Sequence, residues 1–402
     1  MQSWMTQEEA CRVLGVRKET LYAYASRGQI EVRRDPDVAI RKQYSSSDVV
    51  ALMKNRERGR GRRTIAASTM AWGEPIINTR ISTVERGRLY YRGRDAIALA
   101  SWATLEEIAQ CLWDCEDTPR FSTSQVDDVP GATARERAYA SIALAAAQPN
   151  TELSLDVVRL NEEAASLIGR LASRFVAPGD HGPLHLRIAG AWRCDAHADL
   201  LRRALVLLAD QELTTSAFAA RVAASTGASL GSCMLAGLAA LSGPLHGDAA
   251  LRVKALLRGV REQGVETAVE RWQTRNGPLP GFGHALYPQG DPRAADLLAA
   301  FDTPDDVRAL IDYVEHASGL APTIDVALTA MAECCCLPED AVFALFSIGR
   351  SVGWMAHSIE QMVSGTLLRP RARYVGPATV SAAAPETSSS RPPRPGASST
   401  GS

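Results

Sequence analysis

Residues 215–257 read TSAFAARVAASTGASLGSCMLAGLAAL followed by SGPLHGDAALRVKALL, and the break between the two segments decides the fold. Up to Leu241, Ala, Leu and Val recur at helical spacing with few β-branched alternating runs, which predicts helix. Gly243 and Pro244 interrupt the pattern, and it resumes from Ala249. His246 therefore stands at a junction between two helices, beside Gly247, where a ring and its neighbouring backbone open onto a cleft.

The same texture runs outward through DLLRRALVLLADQEL (199–213) and most of the chain beyond about Ile65, so a mainly α body is expected. The exception is IINTRISTVERGRLYYRGRD (76–95), where alternating segments flank a turn at Glu85 to Gly87 and predict a short hairpin. A second glycine-rich break, LPGFGHALYPQGDPRAADLL (279–298), carries His284 and, nine residues later, Arg293. SGLAPTIDVALTAMAECC (318–335) then sets one carboxylate, Asp325, at the head of an apolar helix. Desolvation there raises a carboxyl pKa and makes a better base, whereas free helix amides act the other way.

GPLH occurs a second time in GDHGPLHLRIAG (179–190), where His181 and His185 stand four apart. Pro183 between them marks a helix start, so a structural or surface role is expected for both. The eight cysteines, three of them in ECCCLPED (333–340), have no disulfide-scaffold spacing and read as reduced packing thiols. No convergent ligand pairs point to a metal, and no cofactor is expected.

Three of these stretches together resemble the citrate synthase family. GPLHG, GFGHALY with DPRA, and APTIDVAL are followed by GRSVGWMAHSIEQ (349–361) and LLRPRARYVGP (367–377), in family order and near family spacing. The likeness extends back to RGRLYYRGRDAIALASWATLEEIAQCLW (86–113), so it covers about 70–376. It implies the citrate synthase fold, with a large helical domain and a smaller one inserted at about 248–338, and a homodimer with the cleft between domains. By motif position, His246 matches the donor to the thioester oxygen, Asp325 the base for the acetyl-CoA methyl proton, and His284 the donor to the oxaloacetate ketone. Of the two GPLH copies, the one at 243–246 is then the chemical one. Arg293, Arg350 and Arg369 match the arginines that bind substrate carboxylates, Arg369 reaching in from the partner subunit; guanidinium forks suit carboxylates.

The sequence departs from the family pattern in LADQELTTSAF (208–218), where Gln211 takes the place of a substrate-binding histidine and Thr214 that of an asparagine. Glutamine donates a neutral hydrogen bond and never carries charge. Asp248 stands where glycine is common, which puts a carboxylate near the cleft, and Pro288 replaces a frequent basic residue.

The first 63 residues hold 14 Lys and Arg against 8 Asp and Glu, a segment of +6 joined to a remainder of −7 within a chain of net charge −1. TQEE (6–9) is a capping box that starts a helix ending at Gly15, VRKETLYAYASRG (16–28) reads as a second helix, and IEVRRDPDVAIRKQY (30–44) as two short strands about a turn at Asp35 to Asp37. A third helix follows through DVVALMKN (48–55). This resembles the winged helix-turn-helix of MerR-type and excisionase-like regulators, over 1–53, with RERGRGRR inside a basic linker (54–64) and the synthase-like body at 65–376. The resemblance implies Arg17, Lys18, Thr20 and Tyr22 at a DNA major groove, and Arg33, Arg34, Arg41 and Lys42 on wing phosphates. The tail, 377–402, is too poor in apolar residues to order itself.

No apolar run approaches the roughly 20 residues a bilayer needs, and MQSWMTQEEACRVLG lacks the basic-then-apolar order of a signal peptide. A cytoplasmic location without membrane contact is expected. Two functions compete. One is an acyltransferase condensing acetyl-CoA or propionyl-CoA with oxaloacetate, favoured by His246, His284 and Asp325. The other is a ligand-sensing DNA-binding regulator with a weakly active or inactive synthase body, favoured by Gln211, Thr214 and the basic N-terminus.

Overall fold

Apolar spacing sorts the described chain into three hydrophobic cores. The computed structural model describes residues 4–16, 18–26, 29–35, 42–50, 52–53, 77–122, 128–148, 156–176, 182–372 and 374–377. The expected linker at 54–64, the tail beyond 377, most of the turn at 35–37, and His181, Arg17 and Arg41 lie outside these residues, as does the Arg34 side chain.

The smallest core lies near the N-terminus. Strand β1 (Trp4–Thr6) leads into helix α1 (Gln7–Leu14), α2 (Lys18–Ser26), strands β2 (Val32–Arg34) and β3 (Lys42–Ser45), and a helix α3 at 46–50. Thr6 and Glu9 cap α1 reciprocally, and Gly15 closes it at φ 59°. Strand β1 was not expected, because three residues are too few to show an alternation. It pairs antiparallel with β3, which also pairs with β2. Ala10, Leu14, Leu21, Ile30, Tyr44 and Val49 fill the space between helices and sheet.

The body opens with the expected hairpin, β4 (Ser82–Glu85) and β5 (Arg88–Tyr91), extended by β6 (Arg94–Asp95). Helices follow: α4 (Ala96–Ala100), α5 (Leu105–Trp113), α6 (Ala134–Ala146), α7 (Val157–Ala172), α8 (Leu184–Trp192), α9 (Ala198–Leu208), α10 (Thr215–Ala224) and α11 (Leu230–Leu241). With the last helix, α17 (Ala341–Ser364), they build the large core. Between them come α12 (Ala249–Gln263), α13 (Val265–Asn276), α14 (Pro292–Leu298), α15 (Asp305–Ser318) and α16 (Ile324–Cys334).

The small core runs from Val253 to Ala330, inside the stretch 248–338, and α14 packs Ala294 and Leu297 into the large core. Helix α16 serves both: Ile324, Ala327, Leu328 and Met331 face the large core, Val326 and Ala330 the small one. Asp325 thus sits where the two cores meet. Helix α17 presses on the end of α9 through two glycines four apart. A Cβ on Gly349 would come within 2.9 Å of Leu208 Cβ, and one on Gly353 within 2.3 Å of Asp210 Oδ1. That approach carries Arg350, between the two glycines, to the loop after α9.

Candidate active site

His246 sits in the turn between α11 and α12, where its N–H bonds Gly243 O at 2.9 Å and its carbonyl accepts Ala249 N–H at 2.9 Å. Its Nε2 lies 2.7 Å from Ser216 Oγ, which also accepts the Trp354 indole N–H at 3.0 Å. We assign the serine proton to Nε2, which leaves the ring's own proton on Nδ1. Burial, helped by the Arg350 charge, pushes the imidazole down to about 4, so the ring is neutral near pH 7.

His284 has its tautomer set by the backbone. Leu286 N–H donates to Nδ1 at 3.2 Å, so the neutral ring carries its proton on Nε2. Nε2 faces the Gln211 amide at 3.2 Å. The atom placed there is the amide nitrogen, and two N–H groups cannot satisfy each other, so we assign the amide the other way round, with its oxygen toward the ring. Burial and then the Arg293 charge hold this imidazole at about 4 as well.

Two arginines are sunk beside these rings. Arg293 is 1% exposed and grips Asp291 through Nε and Nη2, at 2.9 and 2.8 Å, leaving Nη1 unpartnered. Burial would raise the Asp291 carboxyl, but the guanidinium outweighs it and holds the group ionised below its ordinary range. Asp291 also accepts Ile324 N–H at 3.1 Å, which ties the break after α13 to the first turn of α16. Arg350 is fully buried, donates Nε to Leu208 O at 2.8 Å and Nη1 to Thr214 Oγ1 at 3.4 Å, and leaves Nη2 unpartnered. Unsatisfied buried guanidinium hydrogens are costly. Each marks a place where an anionic group would fit.

Asp325 is half-buried in the first turn of α16. Burial raises its pKa above the ordinary carboxylate range; the Thr323 hydroxyl, donating to Oδ2 at 3.0 Å, and the Arg293 charge oppose that rise. The Arg293 charge thus acts on Asp325 and His284 alike, and that of Arg350 on both rings. A carboxylate of raised pKa, two neutral rings and two unpartnered guanidinium arms thus lie within reach of the same two charges.

The loop that holds Gln211 is fixed from below. Asp210 is fully buried, accepts from the Ser82 hydroxyl and faces His357 Nε2 at 3.4 Å. Glu212 adopts φ 54° and accepts from Val84 N–H. Sequence reasoning missed Ser216 and Trp354, because a serine in an alanine-rich helix and a tryptophan in an apolar one carry no chemical signature. It also missed Arg135, on α6, which binds Asp248 through two bonds of 2.9 and 2.7 Å.

Not every expected residue joins the cluster. Arg369 is exposed in the segment after α17, and among the described residues no hydrogen bond or ion pair links it to the site. Pro288 is exposed, and His185 is buried at the start of α8 as a structural residue. Near the N-terminus Lys18, Thr20, Tyr22, Arg33 and Lys42 are exposed; Arg33 lies over the Trp4 ring at 4.2 Å and donates twice to Gln43. Among the described residues no group of three His, Cys, Asp or Glu could hold a metal ion, and no helix is long and apolar enough to cross a membrane.

A mainly helical body with two cores sharing one helix, and buried arginines, histidines and a carboxylate where they meet, is the class of protein defined here. The family profile described as "Citrate synthase, C-terminal domain" matches residues 137–371, and the chain belongs to the citrate synthase family. It is similar to the citrate synthase of Haloferax volcanii, 34% identical over 191 residues, or 44% of this chain and 50% of that one. It is also similar to the 2-methylcitrate synthase of Shewanella oneidensis, 31% identical over 192 residues, or 45% and 51%. The chain thus spans about half the length of these curated relatives. The citrate synthase of Thermoplasma acidophilum, solved as a ternary complex with carboxymethyl coenzyme A and oxaloacetate, has a TM-score of 0.64 at 27% identity, covering 77% of this chain and 96% of that one.

Proposed function

We propose that the body is an acyltransferase condensing acetyl-CoA or propionyl-CoA with oxaloacetate to give citrate or 2-methylcitrate and free CoA. The observation that carries this reading is the raised Asp325 carboxylate beside two neutral histidines and two unpartnered guanidinium arms. Asp325 takes the α-proton of the thioester. The His246 Nδ1–H stabilises the enolate oxygen, which needs a preorganised donor in a dry site. The new carbanion attacks the ketone carbon of oxaloacetate, and the His284 Nε2–H supports the oxygen as it becomes an alkoxide. Water then cleaves the thioester. Arg293 Nη1 and Arg350 Nη2 take the acceptor's carboxylates, with Arg369 of a second copy completing the pocket in a homodimer. Release of free CoA thiol on mixing either acyl-CoA with oxaloacetate tests the reading; no release above a blank lacking oxaloacetate contradicts it.

The N-terminal module supports a second function beside this one. Lys18, Thr20 and Tyr22 on α2, and Arg33 and Lys42 on the paired strands, are exposed, which supports reading this segment as one that meets DNA with a helix and a wing. Should the body bind acyl-CoA or oxaloacetate without turnover, the same module would make the chain a ligand-sensing regulator. The CoA-release experiment separates the two.

A further inference from the structure

Arg135 is oddly placed. It lies in the first turn of α6, where the helix dipole disfavours a cation. What offsets that is Asp248: Arg135 Nη1 meets Oδ1 at 2.9 Å and Nη2 meets Oδ2 at 2.7 Å, a bidentate fork. Both side chains are mostly shielded, 25% and 15% exposed. The guanidinium also lies 4.0 Å from the centre of the Phe343 ring. Asp248, for its part, is the N-cap residue of α12 but makes no capping bond with its side chain. An aspartate at that position ordinarily binds free helix amides; here Arg135 has taken it.

The pair lies at the far end of the turn that carries His246. Asp248 N–H bonds Gly243 O at 3.3 Å, which closes the turn on itself. Helix α17 runs beneath. Phe343 meets Arg135, Phe346 one turn on meets the His246 ring edge-on at 6.2 Å between centroids, Arg350 enters the acceptor pocket, and Trp354 holds the serine bound to His246. Positions 343, 346, 350 and 354 form one stripe of a helix. The clamp, the ring and the carboxylate-binding arm are therefore registered against one rigid element.

We propose that Arg135 is a positioning residue for His246, fixing through Asp248 the turn from which the ring reaches the thioester oxygen. The inference rests on the acyltransferase reading for its kinetic test, so the experiment has a second arm that does not. In the full chain, Arg135→Met and Asp248→Asn should each lower kcat about tenfold, since small misplacements of a catalytic group are costly. The KM for oxaloacetate should stay within about twofold, because its pocket lies on other residues. The double variant should be no slower than the slower single one, as expected for two members of one unit. Arg135→Lys, which keeps the charge but loses the fork, should recover only part of the rate.

The independent arm is the NMR titration of the His246 ring. In Arg135→Met its pKa should move away from the parent value while that of His284 holds. Singles within twofold of the parent kcat, or losses that multiply in the double variant, overturn the proposal. So does an unchanged His246 titration, which decides the matter even if the parent protein releases no CoA; in that event the acyltransferase reading alone has failed at the kinetic step.

Discussion

The two histidines of the site occupy matching environments and are secured in opposite ways. Both rings are pushed down to about 4 by burial and a neighbouring arginine. His246 takes its tautomer from a side-chain relay, Trp354 to Ser216 to ring, and its place from a turn clamped by Arg135 and Asp248. His284 takes its tautomer from a backbone amide and faces a neutral glutamine. The proposed thioester end is thus held by charge and side-chain contacts, and the acceptor end by main chain, with two departures from the family pattern beside it: Gln211 in contact with the ring and Thr214 in contact with Arg350. The difference teaches that two rings in like environments can be held by unlike means, and that the departures from the family pattern at Gln211 and Thr214 gather at the end proposed to take the acceptor.

The harshest way to break the comparison is to remove each ring. His246→Ala and His284→Ala should each lower kcat by on the order of 10²-fold or more, with the fold retained by circular dichroism. A large loss from only one variant would mean that the two ends are not partners in one reaction. Next in size is complementation. Asp325→Asn mixed with Arg369→Ala under subunit exchange should regain up to about a quarter of parent activity per site, because one of two sites in a mixed dimer has both groups intact. No recovery despite exchange confirmed by mass spectrometry would place Arg369 outside the partner's site.

Gln211→His sharpens the comparison at the acceptor end. A histidine there can protonate and pair with a carboxylate, so oxaloacetate should bind tighter by about 1 kcal/mol. The change should appear in the oxaloacetate KM and grow as pH falls through the imidazole range. Weaker oxaloacetate binding in the variant would show that glutamine belongs to a pocket tuned for another 2-oxo acid. The smallest effect concerns the N-terminal module. Full-length protein should bind duplex DNA weakly and lose affinity steeply with salt, as phosphate contacts do. Equal binding by a 64–402 truncation would remove the module from that role.

Much of this was legible beforehand, for a physical reason. Helical periodicity, the Thr6 capping box and the hairpin turn at Arg86 and Gly87 are local, and local chemistry is written in consecutive residues. Motif order singles out His246, His284, Arg293, Asp325 and Arg350 as candidates, and in the structure the two arginine charges act on the other three. What stayed hidden is tertiary. Arg135 lies 113 residues from Asp248, and Ser216 30 from His246, so no spacing rule connects them. Strand β1 was hidden by its brevity, and the sharing of α16 between two cores by an apolar surface that periodicity reads as one face.

The central claim is that Asp325 is the base and both histidines stay neutral donors. It is tested most directly by the pH dependence of CoA release in the parent and in Asp325→Asn. Because burial raises the Asp325 pKa, activity should be full above that value and fall on the acid side as the carboxylate protonates. The rings, lowered to about 4, stay neutral near pH 7 and add no limb there. The account predicts a single acid limb in the parent and, in Asp325→Asn, a rate lower by on the order of 10²-fold or more with that limb gone. A parent-like rate in Asp325→Asn, or the same acid limb surviving in it, would contradict the assignment.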